Sequence, residues 1–339
     1  MSEVGRLLVG LLVEQLEHRH TSSASMLVEP TLIVRERSGP MSLFDRSYPF
    51  LAFDWDGTAV SSRERGAADR LLIPLAALIE AGAYFYVVTG TRHDWPARQL
   101  AGLDEPAKEA VFLCCNRGSE VYVLGPGAPR LVLHREAATA EKQAMDTVAG
   151  GLVEWLAACG VESGRIDDRL NRIKVDLIPE WPDPPKHRIG ELQQTVKERL
   201  RAAGGLAAVF EEADRLVAET GLDLRVTSDV KHIEVGLTDK SHSMAWIVDH
   251  LRERGGELDD LLVVGDEFGP VGGAEGSDAK TVVRGATVVS VGEEPNGVPV
   301  GVVHLGGGPE RFLGILEELV QLAGHDVAIL TAGHERRRA

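Results

Sequence analysis

The sequence is short of the features that tie a chain to a membrane, a nucleic acid or an oxidising compartment. Long apolar runs are missing. The N-terminal patch Leu7 to Val13 is brief and flanked by Glu3 and Glu14, with no basic segment before it and no small-residue cleavage site after it. It reads as one amphipathic helix, not as a signal or a membrane span. Positive charge is scarce too: 36 Lys and Arg face 52 Asp and Glu, a formal net charge of -16. Nucleic acid and anionic membrane both need clustered cations, so neither is expected as a partner. An anionic substrate would need local help from a metal or a few placed Lys and Arg. The three cysteines, Cys114, Cys115 and Cys159, are odd in number and have no metal-ligand spacing. They read as reduced core residues of a cytoplasmic protein, without a disulfide framework.

The common phosphate-binding loops are absent as well. "GLTDKS" at 236 to 241 lacks the second glycine and the Gly-Lys pair of a Walker loop, and no G-x-G-x-x-G follows a first strand. No internal repeat or low-complexity tract occurs.

What is present is "FLAFDWDGTAV" at 50 to 60, an apolar run that ends in Asp54 and Asp56 and then Gly57. Two acids at i and i+2 repel, and a cation or a reaction is the usual reason to keep them. A calcium loop needs glycine at its sixth position and an acid at its twelfth, where Ala59 and Arg65 stand. That leaves a solvated Asp-Gly turn or a catalytic strand end.

Further apolar runs occur at 83 to 90 ("AYFYVVTG"), 110 to 115 ("AVFLCC"), 260 to 267 ("DLLVVGDE") and 286 to 292 ("ATVVSVG"), with helix-length segments between them. Continuous runs of this kind predict strands covered on both faces, hence a parallel α/β sheet. The pattern changes from 136 to 229. "NRIKVDLIPE" at 171 to 180 and "LDLRVTS" at 222 to 228 alternate strictly, with Arg172, Lys174 and Arg225 on polar faces. Such half-buried strands predict a second, smaller α/β module inserted into the first. The expected organisation is an N-terminal extension (1–47), a core in two segments (48–135 and 230–325), an inserted cap (136–229) and a charged tail (326–339).

Three buried-type strands finish in polar residues: Asp54 and Asp56, Thr89, and Asp266. In open parallel sheets ligands bind beyond the carboxyl ends of the strands, so these side chains are expected to meet although they are distant in sequence.

"DWDGT", "VVTGTR", "TDKSHSMAWIV" and "VVGDEFGPVGGAEGSDA", in that order, resemble the four motifs of the haloacid dehalogenase (HAD) superfamily of phosphohydrolases. The insertion between the second and third resembles the α/β cap of its C2 group. That group includes Cof-type sugar phosphatases, trehalose-phosphate and mannosyl-3-phosphoglycerate phosphatases and eukaryotic-type phosphomannomutases. The resemblance covers about 49 to 320. It departs at Ala59, where the family has leucine, and at Gly276-Ser277-Asp278, where many members have Asn-Asp.

The resemblance implies a Rossmann-like parallel-sheet core under a C2-type cap. It implies an aspartyl-phosphate formed on Asp54, acid and base work by Asp56, and a hydroxyl from Thr89 and a charge from Lys240 on the phosphoryl group. Mg2+ would be held by Asp54, the Asp56 backbone carbonyl and Asp266, with Asp278 or Glu267 supporting. The face bearing Arg172, Lys174 and Arg225 would either be solvated or grip the leaving group. The function expected is a magnesium-dependent phosphatase of a sugar or small polyol phosphate. A phosphohexomutase, suggested by "GPVGGAEGSD", and a catalytically silent binding module are the alternatives.

Overall fold

The computed structural model describes residues 44, 46–61, 66–182, 188–270, 275–295 and 297–336, with side chains described up to 324. The expected extension 1–47 lies outside these apart from residues 44, 46 and 47, and the paired glycines at 272 and 273 lie outside them as well.

An eight-stranded sheet forms the core. Its strands are β1 (Phe50–Asp54), β2 (Tyr84–Val88), β3 (Val111–Cys115), β4 (Glu120–Val123), β5 (Arg130–His134), β10 (Leu261–Gly265), β11 (Thr287–Ser290) and β12 (Val302–His304), in the order β12-β11-β10-β1-β2-β3-β4-β5. The pairs from β12 to β3 are parallel, and β4 and β5 add an antiparallel edge. Every residue of β1 is buried because both of its faces are covered. Leu51 and Phe53 pack with Leu71, Leu75 and Phe312, from the helices Asp69–Glu80 and Gly308–Arg336. Phe50 and Ala52 point the other way, onto Met244, Ile247 and Leu251 of the helix Lys240–Glu253. The period of two along a strand thus feeds two separate apolar layers, which explains the continuous apolar runs in the sequence.

Between β5 and the helix Lys240–Glu253 lies a four-stranded antiparallel sheet: β6 (Gly164–Arg169), β7 (Arg172–Asp176), β8 (Arg225–Ser228) and β9 (His232–Gly236), in the order β6-β7-β9-β8. The helices Thr139–Ala158, Ile189–Arg199 and Leu206–Thr220 share one apolar cluster with it, in which Leu152, Leu156, Val175, Val209, Ala213 and Val235 are fully buried. The opposite face of this sheet carries the polar positions of the alternating strands.

Two boundaries differ from the sequence expectation. Strand β9 pairs with β7 and β8, so the inserted sheet runs to Gly236 and the second core segment starts after it, not at 230. "HIEVG" alternates like its neighbours, and that alternation is the signal for its place. The last helix continues to Arg336, so the span read as a tail from 326 is helical over most of its length. No helix among the described residues is long and apolar enough to cross a membrane.

Leu152 is 0% exposed within the cap cluster. Leu152→Ala is expected to lower stability by about 2–5 kcal/mol through lost burial and the cavity left behind. Chemical denaturation of the two proteins checks this, and equal midpoints would show that the cluster does not hold the cap together.

Candidate active site

β1 lies between β10 and β2 in the sheet although it precedes both in the chain, so the crevice beyond its carboxyl end is flanked by turns that leave in opposite directions. Asp54 closes β1, Thr89 follows β2, the turn Asn116–Gly118 follows β3, and Asp266 follows β10. One cavity of about 190 Å³ is lined by Asp54, Asp56, Thr89, Lys240 and Glu267 on the core side and by Arg172 and Lys174 on the cap side.

Lys240 is the hub of the core side. It is the first residue of its helix, where the backbone dipole disfavours a cation. It is nonetheless only 5% exposed, and its Nζ donates to Asp54 Oδ1 at 2.7 Å and to Asp278 Oδ1 at 2.6 Å. Burial pulls the ammonium pKa down, but Asp278 and Asp54 outweigh it and hold the group protonated. Burial pushes the Asp54 carboxyl well above its ordinary range, Lys240 counters it, and the nearby Asp278 and Asp266 add to the rise. The helix start is anchored by Asp239, which caps it by accepting from Ser241 N at 2.9 Å.

Carboxylate oxygens of Asp54, Asp266 and Asp278 lie within 4.8 Å of one another. Thr58 Oγ1 donates to Asp266 Oδ1 at 2.8 Å. Asp278 Oδ2 accepts from the backbone N–H groups of Asp266 (3.0 Å) and Glu267 (2.8 Å), so it is fixed from below while its other oxygen meets Lys240. Glycine is required twice here. A Cβ on Gly57, whose φ is +104°, would fall 2.2 Å from Asp266 Oδ2, and one on Gly265 would fall 2.6 Å from Asp278 Oδ2. An all-oxygen, multiply anionic set held this closely suits a hard divalent cation. Glu267 instead accepts from Ser277 Oγ at 2.9 Å, at the margin of this group. Asp56 lines the cavity, but its side chain is not among the three clustered carboxylates.

The Thr89 hydroxyl, 1% exposed, accepts from Thr91 N at 3.2 Å and lies 3.0 Å from Thr91 Oγ1. It can turn its own proton toward a ligand in the cavity.

On the cap side the polar face looks at the core. Arg172 Nη2 donates across the junction to Gly90 O at 3.0 Å. Arg172 and Lys174 converge on Glu234, at 3.1 Å and 2.7 Å. Arg225 does not join them. It starts the edge strand β8, pairs with Asp223 at 2.9 Å, leaves its side chain 41% exposed and does not line the cavity. Alternation fixes which face a residue occupies, not whether an edge position reaches the middle of the sheet.

Four charged lining residues escaped the sequence reading: Arg117, Arg169, Asp229 and Glu234. Arg117 comes from the core turn after β3, with φ of 55° on a non-glycine residue, and reaches Glu234 Oε2 at 2.8 Å and Thr227 Oγ1 at 3.1 Å. Its signal was "NRG" at the end of the buried run "AVFLCC", the same placement that identified Thr89 and Asp266. Glu234 is 2% exposed. Burial raises its pKa, but Arg117, Arg172 and Lys174 prevail and leave it below the usual 4.5.

No protein-family model and no curated protein matches the sequence. Among solved structures, the N-terminally truncated IMP-nucleotidase of Plasmodium falciparum aligns with a TM-score of 0.54 and 10% identity, over 81% of this chain and 71% of that one. The C-terminal domain of the trehalose-6-phosphate phosphatase of C. albicans aligns with a TM-score of 0.53 and 17% identity, over 81% of this chain and 93% of that one. At these identities the likeness establishes the fold alone: a Rossmann-like parallel-sheet core with an inserted α/β module.

Glu234 gives a prediction with a defined pH dependence. Its folded pKa is depressed, so its stabilising effect is complete above 4.5 and is lost as pH falls toward the folded value. Glu234→Gln should therefore cost about 3–5 kcal/mol at neutral pH, because three buried cations lose their shared partner. The gap to the unsubstituted protein should narrow below about pH 4. Urea unfolding of both proteins at several pH values measures it, and a gap independent of pH would show that the charge of Glu234 is not its source.

Proposed function

We propose that this protein is a magnesium-dependent phosphatase that hydrolyses the phosphomonoester of a sugar or small polyol through an aspartyl-phosphate. The observation that carries the reading is the buried Lys240 between Asp54 and Asp278, with Asp266 in the same carboxylate cluster and with Asp56 and Thr89 on the same cavity wall. A structural ion pair needs one acid. Three clustered carboxylates beside one lysine carry more negative charge than the lysine offsets, and a hard cation would offset the rest.

In this reading an oxygen of the Asp54 carboxylate forms a bond to phosphorus while the bond from phosphorus to the alcohol oxygen breaks. Asp56 gives its proton to that departing oxygen. In the second half Asp56 takes a proton from water, the water oxygen attacks phosphorus, and Asp54 is released as a free carboxylate. Lys240 works against the burial that raises the Asp54 pKa and presents positive charge to the phosphoryl oxygens, and the Thr89 hydroxyl donates to one of them. Asp54, Asp266 and Asp278 would hold Mg2+, with Glu267 beside them. When bound, the ion neutralises phosphate charge that would otherwise repel the nucleophile. The phosphatase names of the structural neighbours agree with this chemistry and lend it support.

Asp54→Asn should leave the circular dichroism spectrum unchanged and lower phosphate release by at least about a thousandfold, because an amide forms no acyl-phosphate. Activity within about tenfold of the unsubstituted protein would exclude Asp54 as the nucleophile. Asp266→Ala should move the Mg2+ titration of activity to higher concentration by at least about tenfold. Superimposable titrations would move the metal site away from this carboxylate.

A further inference from the structure

We infer that the substrate carries a second negative charge, on the leaving-group side, and that Arg117, Arg169, Arg172 and Lys174 are there to receive it. This inference rests on the phosphatase reading and narrows its substrate class.

The argument begins with the division of the cavity. Its core side is rich in carboxylates, and Lys240 is the one lysine there among the described residues. Its far side is lined by the four cations just named against two carboxylates, Asp229 and Glu234. A local excess of positive charge in a chain of net charge -16 is not a sample of the general composition. It is also buried: Arg117, Arg172 and Lys174 have side chains 9%, 7% and 12% exposed. Burial lowers the Arg172 pKa, Glu234 counters it, and Arg117 and Arg169 lower it further, as expected of like charges held close together.

Hydrogen-bond capacity points the same way. The two carboxylates are already engaged by the protein. Glu234 Oε1 meets Lys174, and Glu234 Oε2 meets both Arg117 and Arg172. Asp229 Oδ1 accepts from His232 N at 2.9 Å and lies 2.8 Å from His232 Nδ1, while Oδ2 accepts from Lys174 at 3.1 Å. The donors are not all used. The Nε atoms of Arg117, Arg169 and Arg172 are buried and make no hydrogen bond. Arg169 is held only loosely, with Nε 3.4 Å from Asp168 Oδ1. A wall with four cations and only two carboxylates, both of them engaged, suits a group that only accepts. A carboxylate or a phosphate fits that description, whereas a neutral polyol hydroxyl also needs an acceptor for its own proton.

The backbone holds the arrangement in place at a cost. Arg117 (φ 55°) and Val230 (φ 74°), which follows Asp229, both occupy the left-handed region although neither is glycine. Strain at a β-branched residue persists where the surroundings fix it, and Val230 N donates to Ser228 Oγ at 3.0 Å beside the buried Lys231–Asp176 pair at 2.6 Å.

The test uses the full chain with added Mg2+ and compares kcat/KM for phosphate release within matched pairs. Glucose 6-phosphate is paired with 6-phosphogluconate and glycerol 3-phosphate with 3-phosphoglycerate for a carboxylate. Fructose 6-phosphate is paired with fructose 1,6-bisphosphate for a phosphate, and p-nitrophenyl phosphate serves as the generic ester. The expected result is a preference of at least tenfold for the anionic member of at least one pair. Lys174→Met and Arg169→Gln should each reduce that ratio at least fivefold. Which pair responds identifies the second anion as carboxylate or phosphate. Phosphate release with no anionic preference in any pair, or a preference that both variants retain in full, overturns the inference and leaves the phosphatase reading standing. No release from any ester, p-nitrophenyl phosphate included, overturns the phosphatase reading and this inference together.

Discussion

The ammonium group of Lys240 sits at the first turn of a helix, out of water and against the helix dipole, and it stays charged only because Asp54 and Asp278 are both within hydrogen-bonding distance. Meeting that condition ties together four distant parts of the chain. β1 must deliver Asp54, the short helix Ser277–Thr281 must return Asp278 beneath the end of β10, and Asp239 must cap the helix that carries the lysine. The fourth is the turn after β3. A Cβ on Gly118 would come 2.8 Å from Ser243 N and 3.0 Å from Asp239 O, so that turn is pressed onto the same helix start. Arg117, in the same turn, is carried from there toward the cap. One buried cation therefore fixes the carboxylate-rich end of the cavity and indirectly aims one of the groups at its other end.

The cavity is polarised as a result. Carboxylates gather around Lys240, and guanidinium groups gather around Glu234, each centre being one buried charge surrounded by its opposites. Neither centre is neutral: the first has surplus negative charge and the second surplus positive. Buried surplus charge is destabilising unless a counter-ion arrives, and the two surpluses call for different ones, a hard cation and an acceptor-rich anion. A substrate with a phosphate at one end and a second anion at the other would be oriented by this polarity before any shape complementarity is considered.

The parts of this design that were legible in the sequence are those governed by periodicity. Continuous apolar runs identified the buried strands, strict alternation identified the inserted sheet, and polar residues at strand ends marked Asp54, Asp56, Thr89 and Asp266. Asp278 was harder to assign because its role depends on how the segment from Phe268 to Glu275 returns the chain, a matter of loop path that periodicity does not encode. Arg117 and Glu234 were missed for two different reasons. Arg117 reaches its partners from a left-handed turn, and no residue pattern announces that conformation when the residue is not glycine. Glu234 sits in a strand whose alternation was visible, but a lone acid in an alternating strand looks like any solvated position until the opposing cations are known. Arg225 shows the reverse error: its pattern was right for the polar face, and its place on an edge strand kept it out of the cavity.

Glu234 also explains how the cap can sit against the core. Arg172 and Lys174 project from the cap and Arg117 from the core, so bringing the two parts together brings like charges into one small space. A carboxylate at the meeting point, shared by all three, turns that repulsion into attraction and makes the Arg117–Glu234 contact a bridge across the junction. Glu234 brings one negative charge to three positive ones, so the junction keeps a surplus of positive charge. The second carboxylate on this wall, Asp229, pairs with Lys174 and still leaves more cations than acids there. In the inference drawn above, that surplus is what the second anion of the substrate meets, so the residue that joins cap to core also sets the charge of the cavity between them.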